Sequence, residues 1–280
     1  MFLPISHSYL KVSFVLICIF CLPAVLQGAE TLSVHVVDVG YADAIVIDPS
    51  TDAACLIDAG GKEAAAGLVE YIKKLNKKRI EKVVLTHGHE NHYAGVPAIL
   101  QSFKVGDVYI NPAGSGDEGY EDFLIKLKES GANVSMLQAK QTFSCINEDI
   151  QLTFFLPVLS RTDSYSINDN AVVTYLTFKK HSFLLTSDVG EKVQEILLKE
   201  NPFLKDASVV QVPHHGKALS EALIETMRNK IFFVSTGSNF WGLPDEMALG
   251  QLDGTLYRTD RHKTIVFETD GEHIKVRLTP

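Results

Sequence analysis

Thr86-His87-Gly88-His89-Glu90-Asn91-His92 closes the apolar strand candidate Lys82-Val83-Val84-Leu85-Thr86, and its reading decides the fold. Three of the ten histidines of the chain fall within this one loop. A tight loop leaving a buried strand aims imidazoles at alternate positions toward one point, which is what a divalent metal needs. Neutral imidazole is the commonest nitrogen ligand of zinc. The competing interpretation is a solvated polar turn that happens to be His-rich. Imidazoles this dense in so short a loop argue for a shared ligand.

Other chemistry-bearing residues stand at the ends of other apolar runs. Asp188 follows Phe183-Leu184-Leu185-Thr186. A carboxylate there can bridge two metals or cap a helix beginning near Glu191, and the capping role is the more ordinary of the two. His214-His215-Gly216 follows Val209-Val210-Gln211-Val212. One of this pair is placed to ligate, the other to support it or meet a substrate; two structural histidines are the alternative. Asp38, Asp43 and Asp58 stand near glycines, where turn-forming Asp needs no function. Metal-bound imidazoles, however, usually donate their second N–H to a carboxylate, and Asp58 suits that role. His35, His181, His262 and His273 read as structural: His181 falls in an expected hairpin turn and the others in or beside strands.

With 280 residues and 46% hydrophobic content, the chain can bury a sizeable core. A net charge of −8 gives no general footprint for nucleic acid. The basic run Lys73-Lys74-Leu75-Asn76-Lys77-Lys78-Arg79 reads as a solvated helix end. Residues 1–29 have the layout of a secretory leader: Lys11, the apolar run Val12 to Phe20, Pro23, then the small pair Gly28-Ala29. An uncleaved anchor is the alternative. The expectation is therefore a leader over 1–29, one domain over 30–280 and export to the periplasm or beyond, with no membrane contact after cleavage. Removing the leader leaves Cys55 and Cys145, which read as small core residues whose pairing stays open.

Short apolar runs at Leu32–Asp38, Ala44–Asp48 and Ala54–Ile57 predict an antiparallel meander. Helical spacing is expected over Glu63–Leu75, Ala94–Ser102, Gly119–Ser130, Glu191–Glu200 and Leu219–Asn229. Further strands are expected at Val108–Ile110, Gln151–Phe155, Val172–Phe178, Ser182–Thr186, Ala207–Val212 and Ile231–Ser235, with a closing hairpin of Thr264–Glu268 and His273–Leu278. Two mixed halves, each a sheet edged by helices, predict an α/β fold built as a four-layer α/β/β/α sandwich.

The loop from His87 to His92 resembles the His-x-His-x-Asp-His signature of the metallo-β-lactamase superfamily, with Asn91 in place of Asp. Further segments resemble its competence-type branch, the hydrolase domain of DNA-uptake proteins and its stand-alone relatives. Asp38-Val39-Gly40-Tyr41-Ala42-Asp43-Ala44 answers Asp-Val-Gly-Gln-Gly-Asp-Ala, and Leu56 to Gly60 answers Leu-Ile-Asp-Ala-Gly. Leu184 to Asp188, with Ser187 for Gly, answers Leu-Leu-Thr-Gly-Asp. His214 to Lys217, with Lys217 for Ser, answers His-His-Gly-Ser, and the family's late Tyr-Arg-Thr-Asp recurs at Tyr257 to Asp260.

The resemblance implies metal-assisted hydrolysis of a phosphodiester or other ester, using two zinc ions or manganese. It assigns His87, His89, Asp188 and one of His214 or His215 to a first ion, and His92, Asp188 and position 91 to a second. Asn91 and Asp188 take the catalytic positions, while Asp58 and Asp43 support the ligands from behind. Such metals lower the pKa of a bound water toward ~7. Three departures fall on this site. Asn91 brings no negative charge, Ala171 stands where the branch has Ser, and Leu243 stands where it has His. The Asn-rich segment Ser166-Ile167-Asn168-Asp169-Asn170 occupies the place of a missing third-motif histidine. A catalytically impaired relative acting as a binding module is therefore the alternative function. The partner expected of the enzyme is a small-molecule or phosphodiester substrate.

Overall fold

A computed structural model describes residues 31–115, 118–157, 166–217 and 219–279. The expected leader lies outside them. The first half runs β1 (Leu32–Val36), β2 (Ile45–Asp48), β3 (Ala53–Ile57), α1 (Ala65–Lys74), β4 (Arg79–Val84), α2 (Glu90–Tyr93), α3 (Val96–Ser102), β5 (Lys104–Ile110), α4 (Glu118–Glu129) and β6 (Asn133–Met136). The second runs β7 (Thr142–Ser144), β8 (Ile150–Phe155), β9 (Val173–Phe178), β10 (His181–Leu185), α5 (Glu191–Glu200), β11 (Val209–Gln211), α6 (Glu221–Thr226), β12 (Lys230–Val234), α7 (Glu246–Leu249), β13 (Gly254–Arg258) and α8 (Thr259–His262). The hairpin of β14 (Thr264–Thr269) and β15 (Ile274–Thr279) then returns to the first sheet.

Two sheets result, ordered β15-β14-β1-β2-β3-β4-β5-β6 and β13-β12-β11-β10-β9-β8-β7. Each is antiparallel over one part and parallel over the other: β3 to β6 and β10 to β13 run parallel. Side-chain alternation explains the layering. In β2 and β3, Ile45, Ile47, Cys55 and Ile57 face the second sheet, packing with Phe154, Phe178, Phe183 and Phe267. Their neighbours Val46, Ala54 and Leu56 face α1, α3 and α4, against Leu68, Ile99 and Phe123. A third apolar layer joins the second sheet to α5 and α6 through Val193, Leu197 and Leu223. Strands buried on both faces read as continuous apolar runs, which is why they stand out in the sequence. The expected four-layer α/β/β/α sandwich is the observed fold.

Some expectations shift. Leu219–Asn229 shortens to α6, which Ser220 caps by accepting the Leu223 N–H at 3.1 Å, and which stops where Met227 leaves the helical region. His181 opens β10 instead of sitting in the turn, with its Nδ1 3.2 Å from Ser208 Oγ. Lys77 is not solvated: its side chain is 3% exposed, with Nζ 2.5 Å from Asp48 Oδ1 and 2.5 Å from the Thr51 carbonyl. A buried carboxylate and carbonyl draw in the one lysine of that run. Cys55 and Cys145 form a disulfide spanning 90 residues and joining β3 to the residue that follows β7 of the facing sheet, within the shared core.

Candidate metal centre

The parallel strands β4, β10, β11 and β12 all end at one edge of the sandwich, where loops leaving open parallel sheets build sites. After β4, Asp58, which follows β3, accepts three hydrogen bonds: Thr86 N–H on Oδ1 at 2.9 Å, and Thr86 Oγ1–H and His92 Nδ1–H on Oδ2 at 2.7 Å each. Gly88 separates the first two histidines because a Cβ there would lie 2.4 Å from Ser115 Cβ. Gly95 lets the α2–α3 turn close on the Asp58 loop, since a Cβ would lie 1.9 Å from the Ala59 carbonyl oxygen. After β10, Ser187 adopts φ 51°, and after β11 His214 and His215 adopt φ 51° and 55°. Three successive placements of this kind in non-glycine residues cost ~1–3 kcal/mol each, and such strain clusters at functional sites. The hydrogen bonds of Ser187 N–H to Gln211 Oε1 and of His214 N–H to Ser187 O hold them.

These loops converge on Asp188. Its Oδ2 lies 3.4 Å from His92 Nε2, 3.6 Å from His215 Nε2, 3.7 Å from His87 Nε2 and 3.9 Å from His214 Nε2. His87, His92, Asp188 and His215 are buried, His214 and His89 half-buried. Ligand atoms close enough to share an ion occur in three groups: His87, His92 and Asp188; Asp43, Asp188 and His215; and Asp43, Asp58 and His92. His89 belongs to none of the three; its Nδ1 lies 3.0 Å from His87 Nε2. Asp43 lies closer to the centre than a purely supporting role requires.

The surroundings fix which nitrogen of each ring faces inward. Asp58 takes the Nδ1–H of His92, and the Ser235 carbonyl takes the Nδ1–H of His215 at 2.8 Å. Thr86 Oγ1 gives its only proton to Asp58 and accepts one from Ser187 Oγ at 2.8 Å. Toward His87 Nδ1, 3.1 Å away, it can therefore only accept. In all three rings Nδ1 is the donor, which leaves Nε2 to the centre.

Charge follows from this packing. Burial pushes the Asp188 carboxyl up, but His215 and His92 outweigh it and hold the group well below the usual carboxylate range. Burial drives His92 down, and Asp188 and Asp58 overcome this to raise it well above 6.5. Burial keeps His87 well below 6.5 and His214 below it, and burial raises Asp43. Whatever occupies the His92 Nε2 position is thus a proton or another cation. Among the His and Asp side chains of the centre, three buried atoms lack hydrogen-bond partners: His92 Nε2, Asp188 Oδ1 and Asp43 Oδ1. Inward nitrogens beside orphaned carboxylate oxygens fit a divalent ion that takes mixed imidazole and carboxylate ligands.

Asn91 is the exception. Its Nδ2 donates to the Tyr41 carbonyl at 3.2 Å and to His215 Nε2 at 3.1 Å. A carbonyl accepts only, so the amide orientation is settled and both amide hydrogens are used. The side chain covers the inward lone pair of His215 where an acid would offer an oxygen.

A family model described as the metallo-β-lactamase superfamily matches residues 37–230. The chain belongs to the metallo-β-lactamase superfamily. Solved structures of similar fold include the metallo-β-lactamase fold protein YhfI of Bacillus subtilis, with 13% identity, a TM-score of 0.54 and coverage of 83% of this chain and 98% of that one. Zn(2+)-bound PqqB of Methylobacterium extorquens shares 12% identity at a TM-score of 0.50, covering 80% and 97%. A comparison with curated protein sequences gives no significant match.

Within this superfamily fold, Gln211 and Ser235 support the site without having been singled out in the sequence, and Thr86, quoted there only as the end of its strand, supports it as well. Gln211 Nε2 donates to Asp43 Oδ2 at 2.8 Å while its Oε1 holds Ser187. A lone amide inside an apolar strand was its only signal. The Tyr257 to Asp260 segment does not enter the centre. Thr259 Oγ1 accepts the Thr236 N–H at 2.7 Å and Arg258 pairs with Asp260 and Glu246, bracing the loop after β12.

Proposed function

We propose that the chain is an exported metal-dependent hydrolase acting on a phosphodiester or another ester, as its resemblance to the competence-type branch implies. The observation that carries this reading is the meeting of four imidazole Nε2 atoms within 3.9 Å of one buried carboxylate oxygen of Asp188. His87, His92 and Asp188 would hold one metal, and Asp188 with Asp43 and His215 would offer a second position, with His89 and His214 at the margin. Zinc suits this donor set, and manganese is the alternative. When bound, such an ion makes water nucleophilic near neutral pH and offsets charge on the ester oxygen.

The chain's own contribution is orientation. Asp58, Thr86 and Ser235 turn the rings inward, and Asn168 Nδ2, 3.2 Å from His214 Nε2, fixes the half-buried ring at the cleft. Lys217 lines the same cleft of about 410 Å³, where an anionic ester would enter. Asn91 withholds charge from a second ion, so the site is read as one firm position and one weak one. Its two hydrogen bonds also favour the second reading, a scaffold that binds without turnover. Export is supported by the leader-like residues 1–29 and by the cross-sheet disulfide, which an oxidising compartment maintains. Among the described residues, no helix is long and apolar enough to cross a membrane.

The test is metal content by mass spectrometry, with hydrolysis of bis(p-nitrophenyl) phosphate, on wild type and Asn91→Asp. Metal and turnover in the wild type support the hydrolase. Metal and turnover that rise together only in Asn91→Asp support the binding scaffold. Absence of metal from both proteins sinks the metal centre.

A further inference from the structure

Phe240 is fully exposed and its chain neighbour Trp241, which lines the cleft of the metal centre, is 70% exposed. Neighbouring exposed aromatics beside a cleft mark a binding surface more often than chance exposure does. Trp241 is also held in place. Asn239 uses its whole amide on the loop: Oδ1 accepts the N–H of Trp241 at 3.0 Å and of Leu243 at 3.1 Å. Its Nδ2 donates to the carbonyls of Gly237 at 2.8 Å and Leu243 at 2.7 Å. Gly237 docks this loop on the Gly40–Tyr41 turn, where a Cβ would lie 2.6 Å from Gly40 Cα.

From there a row of rings leads inward. Trp241 packs on Tyr41 with centroids 5.0 Å apart, Tyr41 on His215 at 4.3 Å, and His215 on His92 at 5.5 Å. Trp241 and Tyr41 line two adjoining clefts of about 410 and 470 Å³, which share Glu90 and Asn91 as well. Lys217 is the only lysine or arginine among the described residues lining either cleft, and it lies on the metal-centre side; Glu63 lies on the other.

We propose that Trp241 is a stacking platform, so that this site takes substrates carrying a planar aromatic ring next to the anionic ester. The ring lies on the exposed indole and the anion turns toward Lys217 and the centre. The inference rests on the hydrolase reading for its anion and on the loop geometry for its ring.

Trp241 is the sole tryptophan of the chain, so fluorescence excited at wavelengths that tyrosine does not absorb reports on this position alone. The zinc-loaded protein is titrated with phenyl phosphate and with cyclohexyl phosphate, similar in size but not planar. Calorimetry follows the same ligands on Trp241→Ala and Trp241→Phe, with Phe240→Ala as a neighbouring control. Saturable quenching by phenyl phosphate is expected, with affinity roughly tenfold above that for cyclohexyl phosphate, as loss of one base-stacking partner implies. Trp241→Ala removes the preference and Trp241→Phe keeps most of it. Equal affinity for the two ligands, or a preference that survives Trp241→Ala, overturns the platform. Turnover of bis(p-nitrophenyl) phosphate, measured in parallel, separates that failure from failure of the hydrolase reading.

Discussion

Replacing Asp58 by Asn probes how the second layer of the site governs the first. Asp58 is fully buried and its Oδ2 accepts both Thr86 Oγ1–H and His92 Nδ1–H at 2.7 Å. In Asp58→Asn, an oxygen kept for the Thr86 N–H leaves an NH2 group facing two former donors. Thr86 can turn its proton away, but His92 relieves the clash only by making Nδ1 the acceptor. Its remaining proton then stays on Nε2, the atom 3.4 Å from Asp188 Oδ2, and zinc can displace it there only by returning a proton to Nδ1 against the amide N–H. Hydrogen bonds to a charged group contribute ~1.5–3 kcal/mol each, so disturbing these two destabilises the metal-free protein by about 3 kcal/mol or more. Zinc affinity falls ~10–100-fold, as for other altered partners of ligating imidazoles. Urea denaturation in chelator measures the first effect, and competition with a chromophoric chelator the second. A folded Asp58→Asn protein with wild-type zinc affinity would refute the assignment of His92 as a ligand oriented by Asp58.

Away from the centre, burial holds the His35 pKa at about 3, with Arg277 and Lys77 adding to the effect. The unfolded chain takes up that proton near 6.5 and the folded one does not, so stability is lost as pH falls from about 6.5 toward 3, by up to ~1.4 kcal/mol per pH unit. Chemical denaturation between pH 7 and 4.5 checks this, and His35→Phe should flatten the slope. Cys145→Ser opens the 90-residue loop closed by the disulfide and should cost about 4–5 kcal/mol on loop-closure grounds, read from urea midpoints against oxidised wild type. Lys77→Met leaves the Asp48 carboxylate, 11% exposed, without its cation, and should destabilise by about 3–5 kcal/mol; a change below 1 kcal/mol would mean that solvent already screens the pair.

The fold was legible where strands are buried on both faces. Val46, Leu56, Val83 and Phe183 sit in runs too apolar and too short for anything but interior strands, and the loops between them carry the turn residues. Three strands escaped notice for the opposite reason. The edge strand β6, Asn133–Met136, is mostly exposed, β7 has three residues, and β13 begins at an exposed Gly254. Edge strands take their hydrogen bonds from one neighbour and bury little side chain, so their sequences carry no period to read. The buried state of Lys77 was hidden for a related reason: a lysine inside a basic run looks solvated until the fold brings a carboxylate from β2 beside it.

At the site, residue type and spacing identified which groups would meet but not which atoms would face each other. His87, His89, His92, Asp188 and the His214-His215 pair were selected because each ends a buried strand or sits in the loop leaving one; the fold gathers His87, His92, Asp188 and His215 closely, while His89 joins none of the groups that could share an ion. Direction depends on partners distant in the chain: Ser235 orients His215, Ser187 reaches back to Thr86, and Gln211 spans from Asp43 to Ser187. Asn91 shows why that matters. In the sequence it is only the loss of a charge. In the fold its amide hydrogens meet His215 Nε2 and the Tyr41 carbonyl, so the change from acid to amide replaces an acceptor aimed at a cation with a donor aimed at a ligand. A carboxylate at position 91 would repel the Tyr41 carbonyl as well as free His215, so restoring it alters both the centre and the turn on which Trp241 rests. If the proposed stacking role of Trp241 and the metal centre both hold, Asn91→Asp changes ring preference and metal content together.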